Sequence, residues 1–196
     1  MQPPGADELV LIRHAAADHG GRLAGRFDPP LRPLADAAIE PLRRGLAGSV
    51  FLSSPAERCM TTAAALSGAK NVPTDPRLWE QNFGTEDGAL FSDLPDLGDL
   101  PLAELAQRRA EGGESFADMV RRVHPALIEV AAAVRNGDRP AAVIAHAGTV
   151  RAGLAMALET PSDALVFEVA PLSVTRLRCY SGGVSIISVN EIVVSF

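Results

Sequence analysis

The sequence predicts an α/β fold, a three-layer sandwich in which a mostly parallel central sheet carries helices on both faces. Three short apolar runs, at residues 8–12, 50–52 and 142–145, support this fold because each ends abruptly in a charged or hydroxyl residue. Segments with the apolar spacing of amphipathic helices lie between the runs. Strands that alternate with helices in this way are typical of βαβ units.

Length and composition indicate the number of domains. The chain has 196 residues, of which 47% are hydrophobic, and this is enough to bury one sizeable core. We therefore expect one domain over residues 1–196. Residues from about 79 to 113 are rich in Pro, Gly, Asp and Leu with weak periodicity. We interpret them as an irregular insert over the functional edge of the sheet.

The charge balance limits the class of partner. The formal net charge is -6 at pH 7, whereas binding to nucleic acid or to an anionic membrane normally requires a basic patch. We expect neither partner, and a small anionic substrate would need a locally positive pocket. The first seven residues contain no basic segment, and the next apolar run is too short for a signal core or a membrane span. A cytoplasmic protein is therefore expected.

The two cysteines indicate neither a disulfide nor a metal site. Cys59 and Cys179 are far apart in the chain, and neither belongs to a CxxC or Cys/His ligand pattern. Two reduced thiols are the expected state. We predict no metal and no cofactor.

The first strand is predicted from the apolar run 8–12. Residues 15–33 are rich in Gly, Pro and Asp and lack a sustained period, which indicates a long loop. Long ordered loops are often functional. Apolar spacing over residues 34–46 then predicts an amphipathic helix before the second strand at 50–52.

A helix start follows the second strand. Ser54 is a natural N-cap and Pro55 suits the first helical position, so a helix is predicted from residue 55 to about 66. Arg58 would then face outward from the first turn. Residues 70–78 are interpreted as a short strand and turn.

The helix after the insert has a clear start signal. Ser115 is followed three residues later by Asp118, a pair that partly imitates a capping box. A long helix is therefore expected from here to about Arg135. Within the insert, a short helix is predicted near residues 102–109.

The C-terminal part continues the α/β pattern and then changes to strands. The third strand, at 142–145, is followed by a predicted helix at about 149–158. The tail from 166 to 196 alternates as strands around a turn at 181–183.

Basic side chains and a histidine pair follow the predicted strands. Arg13 and His14 end the first strand, Arg58 follows the second, and His146 follows the third. Strand ends in an open α/β sheet meet at the ligand-binding crevice. Arginines beside helix N-termini suit a phosphate group, and a neutral imidazole can attack phosphorus. The pattern therefore indicates phosphoryl transfer, which also needs a carboxyl group as proton donor.

At these residues the sequence resembles the histidine phosphatase superfamily, in its phosphoglycerate mutase-like branch. Residues 11–14 resemble the Arg-His-Gly motif of the family, 53–63 resemble its Ser-Ser-x-x-x-Arg-x-x-x-Thr-Ala helix start, and 145–152 resemble its second-histidine motif. Residues 78–84 are similar to the segment that carries the family's acid. Residues 25–31, together with Gly113 and the three residues after it, match most closely the members known as alpha-ribazole phosphatases.

The resemblance implies a role for each matching residue. It implies that His14 is the nucleophile, that Arg13 and Arg58 bind the phosphate oxygens, and that His146 donates to the phosphoryl group. By position Glu80 would be the proton donor.

Some assignments stay open at this stage. Glu86 and Asp87 are rivals of Glu80, because the insert is acidic. Ala147 stands where the family has a glycine that binds phosphate, and it still offers a backbone N–H group, as does Ala15 in the first motif. Arg26 is either a substrate contact or part of a salt bridge in the loop.

Several other residues are assigned no special role. His19 and His124 are interpreted as ordinary surface or packing residues, and Trp79 as a wall or core residue. Three pairs of adjacent arginines are interpreted as solvated helix faces: Arg43 with Arg44, Arg108 with Arg109, and Arg121 with Arg122.

The resemblance implies a metal-independent phosphomonoesterase that acts on a small phosphorylated metabolite, for which alpha-ribazole phosphate is one candidate. A phosphomutase is the first alternative, although the chain lacks the length of the cofactor-dependent mutases. A phosphate-binding protein with weak catalytic activity is the second. The sequence does not distinguish a monomer from a homodimer.

Overall fold

The centre of the protein is a five-stranded sheet with the strand order β2-β3-β1-β4-β5. The structure is a computed structural model, and it describes residues 1–193. Neighbouring strands are parallel in β2–β3 and β3–β1 and antiparallel in β1–β4 and β4–β5. The strand bounds are β1 Glu8–Arg13, β2 Val50–Ser53, β3 Ala141–Ala145, β4 Val174–Tyr180 and β5 Gly183–Glu191.

Helices cover both faces of this sheet. Val10 and Ile12 of β1 pack with the first two helices on one face, and Leu9 and Leu11 pack with the fourth and fifth on the other. This alternation has the period of two that a strand buried on both faces requires. The predicted three-layer α/β fold is confirmed. The helix bounds are α1 Asp36–Gly45, α2 Glu57–Ser67, α3 Leu102–Gln107, α4 Phe116–Asn136 and α5 Ala147–Ala155.

The antiparallel half of the sheet comes from the C-terminal hairpin. β4 and β5 pair with each other through a tight turn between Tyr180 and Gly183, as the alternation and the Ser-Gly-Gly sequence predicted. Of the α-helices within residues 1–193, none is long and apolar enough to span a membrane.

The carboxyl ends of the three parallel strands are held in line. Arg13 of β1 is in register with Ala145 of β3, and the backbone N–H of His14 donates to the Ala145 carbonyl at 2.8 Å. The N–H of Ser54 donates to the Ile144 carbonyl at 2.9 Å. The residues that follow β1, β2 and β3 are therefore brought to one edge of the sheet.

The start of α2 differs from the prediction. α2 begins at Glu57, and its N-cap is Ala56, whose side chain makes no capping bond. Asp28 from the long loop takes the capping role, since its Oδ2 accepts the Glu57 N–H at 2.6 Å. Ser54 is not the N-cap: its hydroxyl is bonded to His146 at 2.8 Å, and the helix-start N–H that it accepts, at 3.4 Å, is that of Ala56, before the first helical residue.

Other local predictions have mixed outcomes. The capping box of Ser115 and Asp118 is confirmed at the start of α4. Residues 70–78 do not form a strand: Thr74 makes one isolated parallel bridge to Ser53, and a short 3-10 helix follows at Pro76–Leu78. α5 starts at Ala147, two residues before the predicted start.

The segment 79–113 contains α3 and two short 3-10 helices, Gly84–Glu86 and Phe91–Asp93. Parts of it pair with the long loop after β1. Arg22 and Leu90 form an antiparallel bridge, and the Phe91 N–H donates to the Gly21 carbonyl at 2.8 Å. These contacts place the insert beside the carboxyl edge of the sheet.

Candidate active site

The residues predicted from the strand ends lie together at the carboxyl edge of the sheet. Arg13 ends β1 and His14 follows it, Arg58 lies in the first turn of α2, and His146 is the N-cap residue of α5. Glu80 follows the 3-10 helix at Pro76–Leu78 and lines the same cleft as Arg13 and His14. The structure thus brings together five side chains that are widely separated in sequence.

His14 is oriented by two hydrogen bonds, one in which its ring donates and one in which its ring accepts. Its Nδ1 lies 2.7 Å from the Ala15 carbonyl oxygen, which can only accept, so Nδ1 carries the hydrogen. Its Nε2 then accepts from Nε of Arg58 at 3.3 Å. Burial lowers the pKa of His14 to about 3, and the nearby guanidinium groups act in the same direction. The imidazole is therefore neutral, with a lone pair on Nε2.

His146 also uses both ring nitrogens. Its Nδ1 accepts from Nη2 of Arg58 at 3.1 Å, so Nε2 carries the hydrogen and donates to the Ser54 hydroxyl at 2.8 Å. Trp79 lies parallel to the ring, with an angle of 7° between the two planes. Complete burial lowers the pKa of His146 well below its usual value, and the positive charge of Arg58 is the second largest cause of this shift. His146 is a neutral residue here.

Arg58 does not face outward. Its side chain is only 1% exposed, because the loop after β1 supplies acceptors for it. Nη1 pairs with Oδ1 of Asp28 at 2.8 Å, and Nη2 donates to the Gly25 carbonyl at 2.9 Å. A buried charge requires this kind of pairing. The same guanidinium contacts both histidines, so it lies at the centre of the site.

Arg13 keeps part of its donor capacity unused. Nη1 donates to the Val169 carbonyl at 2.7 Å, whereas the buried Nε has no hydrogen-bond partner among residues 1–193. Burial lowers the pKa of Arg13, and the charge of Glu80 opposes this effect. An arginine with a free buried donor in a cleft is suited to an incoming anion.

Glu80 is held near the start of α5. Its Oε2 accepts the backbone N–H of Gly148 at 3.2 Å, and a Cβ at Gly148 would collide with Oε1. Arg122 fixes the preceding chain, since Nη1 donates to the carbonyls of Arg77 at 2.7 Å and Trp79 at 3.1 Å. Arg122 is therefore not the solvated residue that its helix position predicted.

The two rival carboxylates have other partners. Glu86 forms an ion pair with Arg108. Asp87 binds loop backbone, with its Oδ2 2.6 Å from the N–H nitrogen of Arg26. Neither carboxylate lines the cleft that holds His14.

Two assignments from the resemblance concern backbone and loop positions. Ala147 is the first residue of α5, and first-turn N–H groups have no acceptor within their own helix.

The Arg26 guanidinium lies 5.0 Å from the centre of the Trp79 ring. Within residues 1–193 it forms no salt bridge, so the loop-salt-bridge interpretation of Arg26 is wrong, and burial lowers its pKa.

For three residues of the site, the sequence did not predict the contacts that they make. Asp28 holds Arg58, Ser54 holds His146, and Thr62 accepts the Ala15 N–H at 3.1 Å. All three lie inside or beside the matched motifs, and this position is the one feature of the sequence that could have indicated a role in the site. Their partners are 30 to 92 residues away, so local sequence gives no reason for the contacts.

The cleft in front of His14 has a volume of about 350 Å³, within the range of small-molecule sites. It offers arginine donors, a neutral imidazole and one carboxyl group, the set that phosphoryl transfer requires. Among residues 1–193, no three His, Cys, Asp or Glu side chains are grouped so that they could hold a metal ion.

Comparison with known sequences is consistent with this geometry. The family profile described as "Histidine phosphatase superfamily (branch 1)" matches residues 9–192. Glucosyl-3-phosphoglycerate phosphatase of Mycobacterium tuberculosis is 32% identical over 177 residues, which cover 80% of this chain and 77% of the relative. The enzyme of that name from Mycolicibacterium vanbaalenii is 31% identical over 175 residues, 79% of this chain and 76% of the relative.

Solved structures show the same similarity. A mycobacterial glucosyl-3-phosphoglycerate phosphatase in complex with VO3 superposes with a TM-score of 0.80 at 27% identity, over 94% of this chain and 99% of that one. A structure named mycobacterial hydrolase 1 superposes with a TM-score of 0.82 at 25% identity, over 95% and 99%.

Proposed function

The chain belongs to the histidine phosphatase superfamily, and from this membership we propose that it hydrolyses a phosphomonoester through a phosphohistidine intermediate on His14. The observation that carries the proposal is the state of His14. Its Nδ1–H is bonded to the Ala15 carbonyl, and the opposite nitrogen, Nε2, lies next to the Arg58 guanidinium. A neutral nucleophile beside a cation is suited to attack a dianionic phosphate ester.

The first step forms a P–N bond and breaks the P–O ester bond. The lone pair on Nε2 of His14 attacks phosphorus while Arg13 and Arg58 bind the equatorial oxygens, where negative charge has to be stabilised. The electron pair of the broken ester bond goes to the leaving oxygen. Glu80, in its protonated form, gives that oxygen a proton.

The second step releases inorganic phosphate. Glu80, now a carboxylate, takes a proton from water, and the water oxygen attacks phosphorus as the P–N bond breaks. The electron pair of that bond returns to Nε2 of His14. The position of Glu80 supports both roles, because it lines the cleft with His14 while Glu86 and Asp87 are bound to other groups.

His146 needs a tautomer exchange in order to donate to the phosphoryl group. Its Nδ1 is an acceptor for Arg58 in this structure. The Ser54 hydroxyl can donate as well as accept, so it can bond an unprotonated Nε2 and leave the imidazole hydrogen on Nδ1. We assign a further contact to the backbone N–H of Ala147 at the start of α5, where the helix dipole favours an anion.

The substrate is a small phosphorylated metabolite in this proposal. The relatives above are named for glucosyl-3-phosphoglycerate, and we therefore include that ester among the candidates to be tested. Alpha-ribazole phosphate stays a candidate on the motif resemblance alone. Hydrolysis is preferred over mutase activity because the relatives that cover most of this chain are phosphatases.

The test is a panel of phosphorylated metabolites that includes both candidate esters. We expect phosphate release from at least one alkyl phosphate, and acid-labile, base-stable labelling of the protein that is absent in His14→Ala. Two results would overturn the phosphohistidine mechanism. One is turnover without labelling of the protein under rapid quenching, and the other is a His14→Ala variant that is as active as wild type. Transfer of label to a second hydroxyl in place of water would indicate a mutase.

A further inference from the structure

The cleft extends beyond the groups that phosphoryl transfer uses. It is also lined by His19, Arg22 and Arg32, which come from the long loop after β1. None of the three takes part in the proposed chemistry. Phe91 from the insert lines the same cleft and contacts His19, with 5.6 Å between the ring centres.

Arg22 is a fixed cation without a counter-ion. Its backbone is bridged to Leu90, and Nη1 donates to the Gly88 carbonyl at 2.8 Å, so the guanidinium is held in place. Within residues 1–193, no carboxylate oxygen lies close enough to pair with it. In a chain with net charge -6, most arginines do have such a partner. The exceptions among the described residues are Arg13, Arg22, Arg26, Arg135 and Arg151.

The other two residues add donor capacity. Arg32 is 3.9 Å from Asp18, and both side chains are more than 60% exposed, so this pair is weak and easily exchanged for another anion. The buried Nδ1 of His19 has no hydrogen-bond partner among the described residues. The cleft is therefore lined by two further arginines and by a histidine with an unpartnered ring nitrogen.

We propose that Arg22 and Arg32, with His19, form a second anion-binding subsite that selects phosphomonoesters whose alcohol part carries a further acidic group, a carboxylate or a second phosphate. The subsite would bind this group while His14 and Arg58 engage the ester phosphate. The inference rests on the proposed function in taking a phosphate ester as the ligand. A phosphate with a neutral alcohol part would leave these donors unused.

The first experiment compares kcat/KM for three alkyl phosphates: glycerol 1-phosphate, 3-phosphoglycerate and propane-1,3-diol bisphosphate. Because charge-assisted hydrogen bonds from the subsite would bind the added acidic group, wild type should prefer an acidic ester by roughly tenfold or more. The double variant Arg22→Gln/Arg32→Gln should lose most of this preference, with less than about a threefold change for glycerol 1-phosphate. Comparison of the two acidic esters identifies which acid the subsite takes.

A matched control separates the subsite from the general field of the protein. Arg135 is exposed and unpaired like Arg22, but it lies on α4 and does not line the cleft. Arg135→Gln should leave the preference unchanged, and Arg22→Lys should restore part of it. Equal loss for acidic and neutral esters in the double variant, or the same loss in Arg135→Gln, would overturn the subsite.

A binding experiment keeps the subsite testable without turnover. We expect 3-phosphonopropionate to bind roughly tenfold tighter than propylphosphonate in calorimetry, and this difference to disappear in the double variant while its thermal unfolding stays near wild type. Such a result without turnover of any ester would contradict the phosphatase proposal and uphold the subsite. Equal affinity of wild type for both phosphonates would overturn the subsite, whatever the activity.

Discussion

Asp28 and Arg58 form an ion pair that links the loop after β1 to the start of α2. Oδ1 of Asp28 lies 2.8 Å from Nη1 of Arg58, and Oδ2 accepts the backbone N–H of Glu57 at 2.6 Å. One carboxylate therefore caps a helix and orients the guanidinium that contacts both histidines. Asp28 acts through Arg58 and is a positioning residue.

We predict that Asp28→Asn lowers kcat/KM roughly tenfold to a hundredfold because Arg58 loses its buried partner. Asn caps a helix about as well as Asp, so the free energy of unfolding should fall mainly through the unpaired charge left on Arg58, by about 1–3 kcal/mol. Steady-state kinetics and denaturant unfolding measure the two effects. Asp36→Asn, in the exposed first turn of α1, is the control, and a similar kinetic loss there would show that charge alone is responsible.

His14→Ala should abolish turnover, with a loss on the order of a thousandfold or more, because no other residue can accept the phosphoryl group. Phosphate release and protein labelling are measured together. His124→Ala is the control, since His124 bonds the Ala152 carbonyl outside the cleft. Near-normal turnover in His14→Ala would contradict the mechanism.

Glu80→Gln should slow phosphorylation of His14 by alkyl phosphates roughly a hundredfold or more, because an alkoxide needs a proton in order to leave. Nitrophenyl phosphate should be affected far less, since its phenolate leaves unaided. Single-turnover experiments with both substrates separate the cases. Equal slowing for both would mean that Glu80 is not the acid, and matched Glu86→Gln and Asp87→Asn variants would then test its rivals.

Activity should be unaffected by excess EDTA. Arg13 and Arg58 supply the positive charge that a metal ion would otherwise bring to the phosphoryl oxygens. Initial rates with and without chelator, after prolonged dialysis, make the measurement. Loss of activity that a divalent metal restores would require a metal in the mechanism.

The buried histidines should make the protein less stable as the pH falls below 6.5. The unfolded state binds a proton near pH 6.5, whereas folded His14 stays neutral until about pH 3, so the unfolded state holds more protons over this interval. The free energy of unfolding should therefore decrease by up to about 1.4 kcal/mol per pH unit for this residue. Denaturant titrations from pH 7 to pH 4 on wild type and His14→Asn should show a shallower slope in the variant. Parallel curves would mean that His14 protonates normally in the folded state.

The sequence by itself determined the layers and the edge at which the site lies. The period-two apolar pattern of β1 and the capping box of Ser115 and Asp118 depend on neighbours within a few residues. Arg13 is the last residue of β1, and His14 and His146 directly follow β1 and β3, so the positions of these three residues at the edge followed from the strands. The motif resemblance predicted that Arg58 and Glu80 belong to the site.

Only the tertiary structure decided the direction and the partners of several side chains. Ser54 has the local chemistry of an N-cap, but its hydroxyl bonds His146, and Asp28 caps the helix in its place. Arg58 turns inward, and Arg122 binds backbone carbonyls, because loops distant in sequence bring acceptors to them. A buried polar group goes where its hydrogen bonds can be satisfied. The partners of these residues depend on how the loops fold over the sheet. Local periodicity in the sequence does not predict that arrangement.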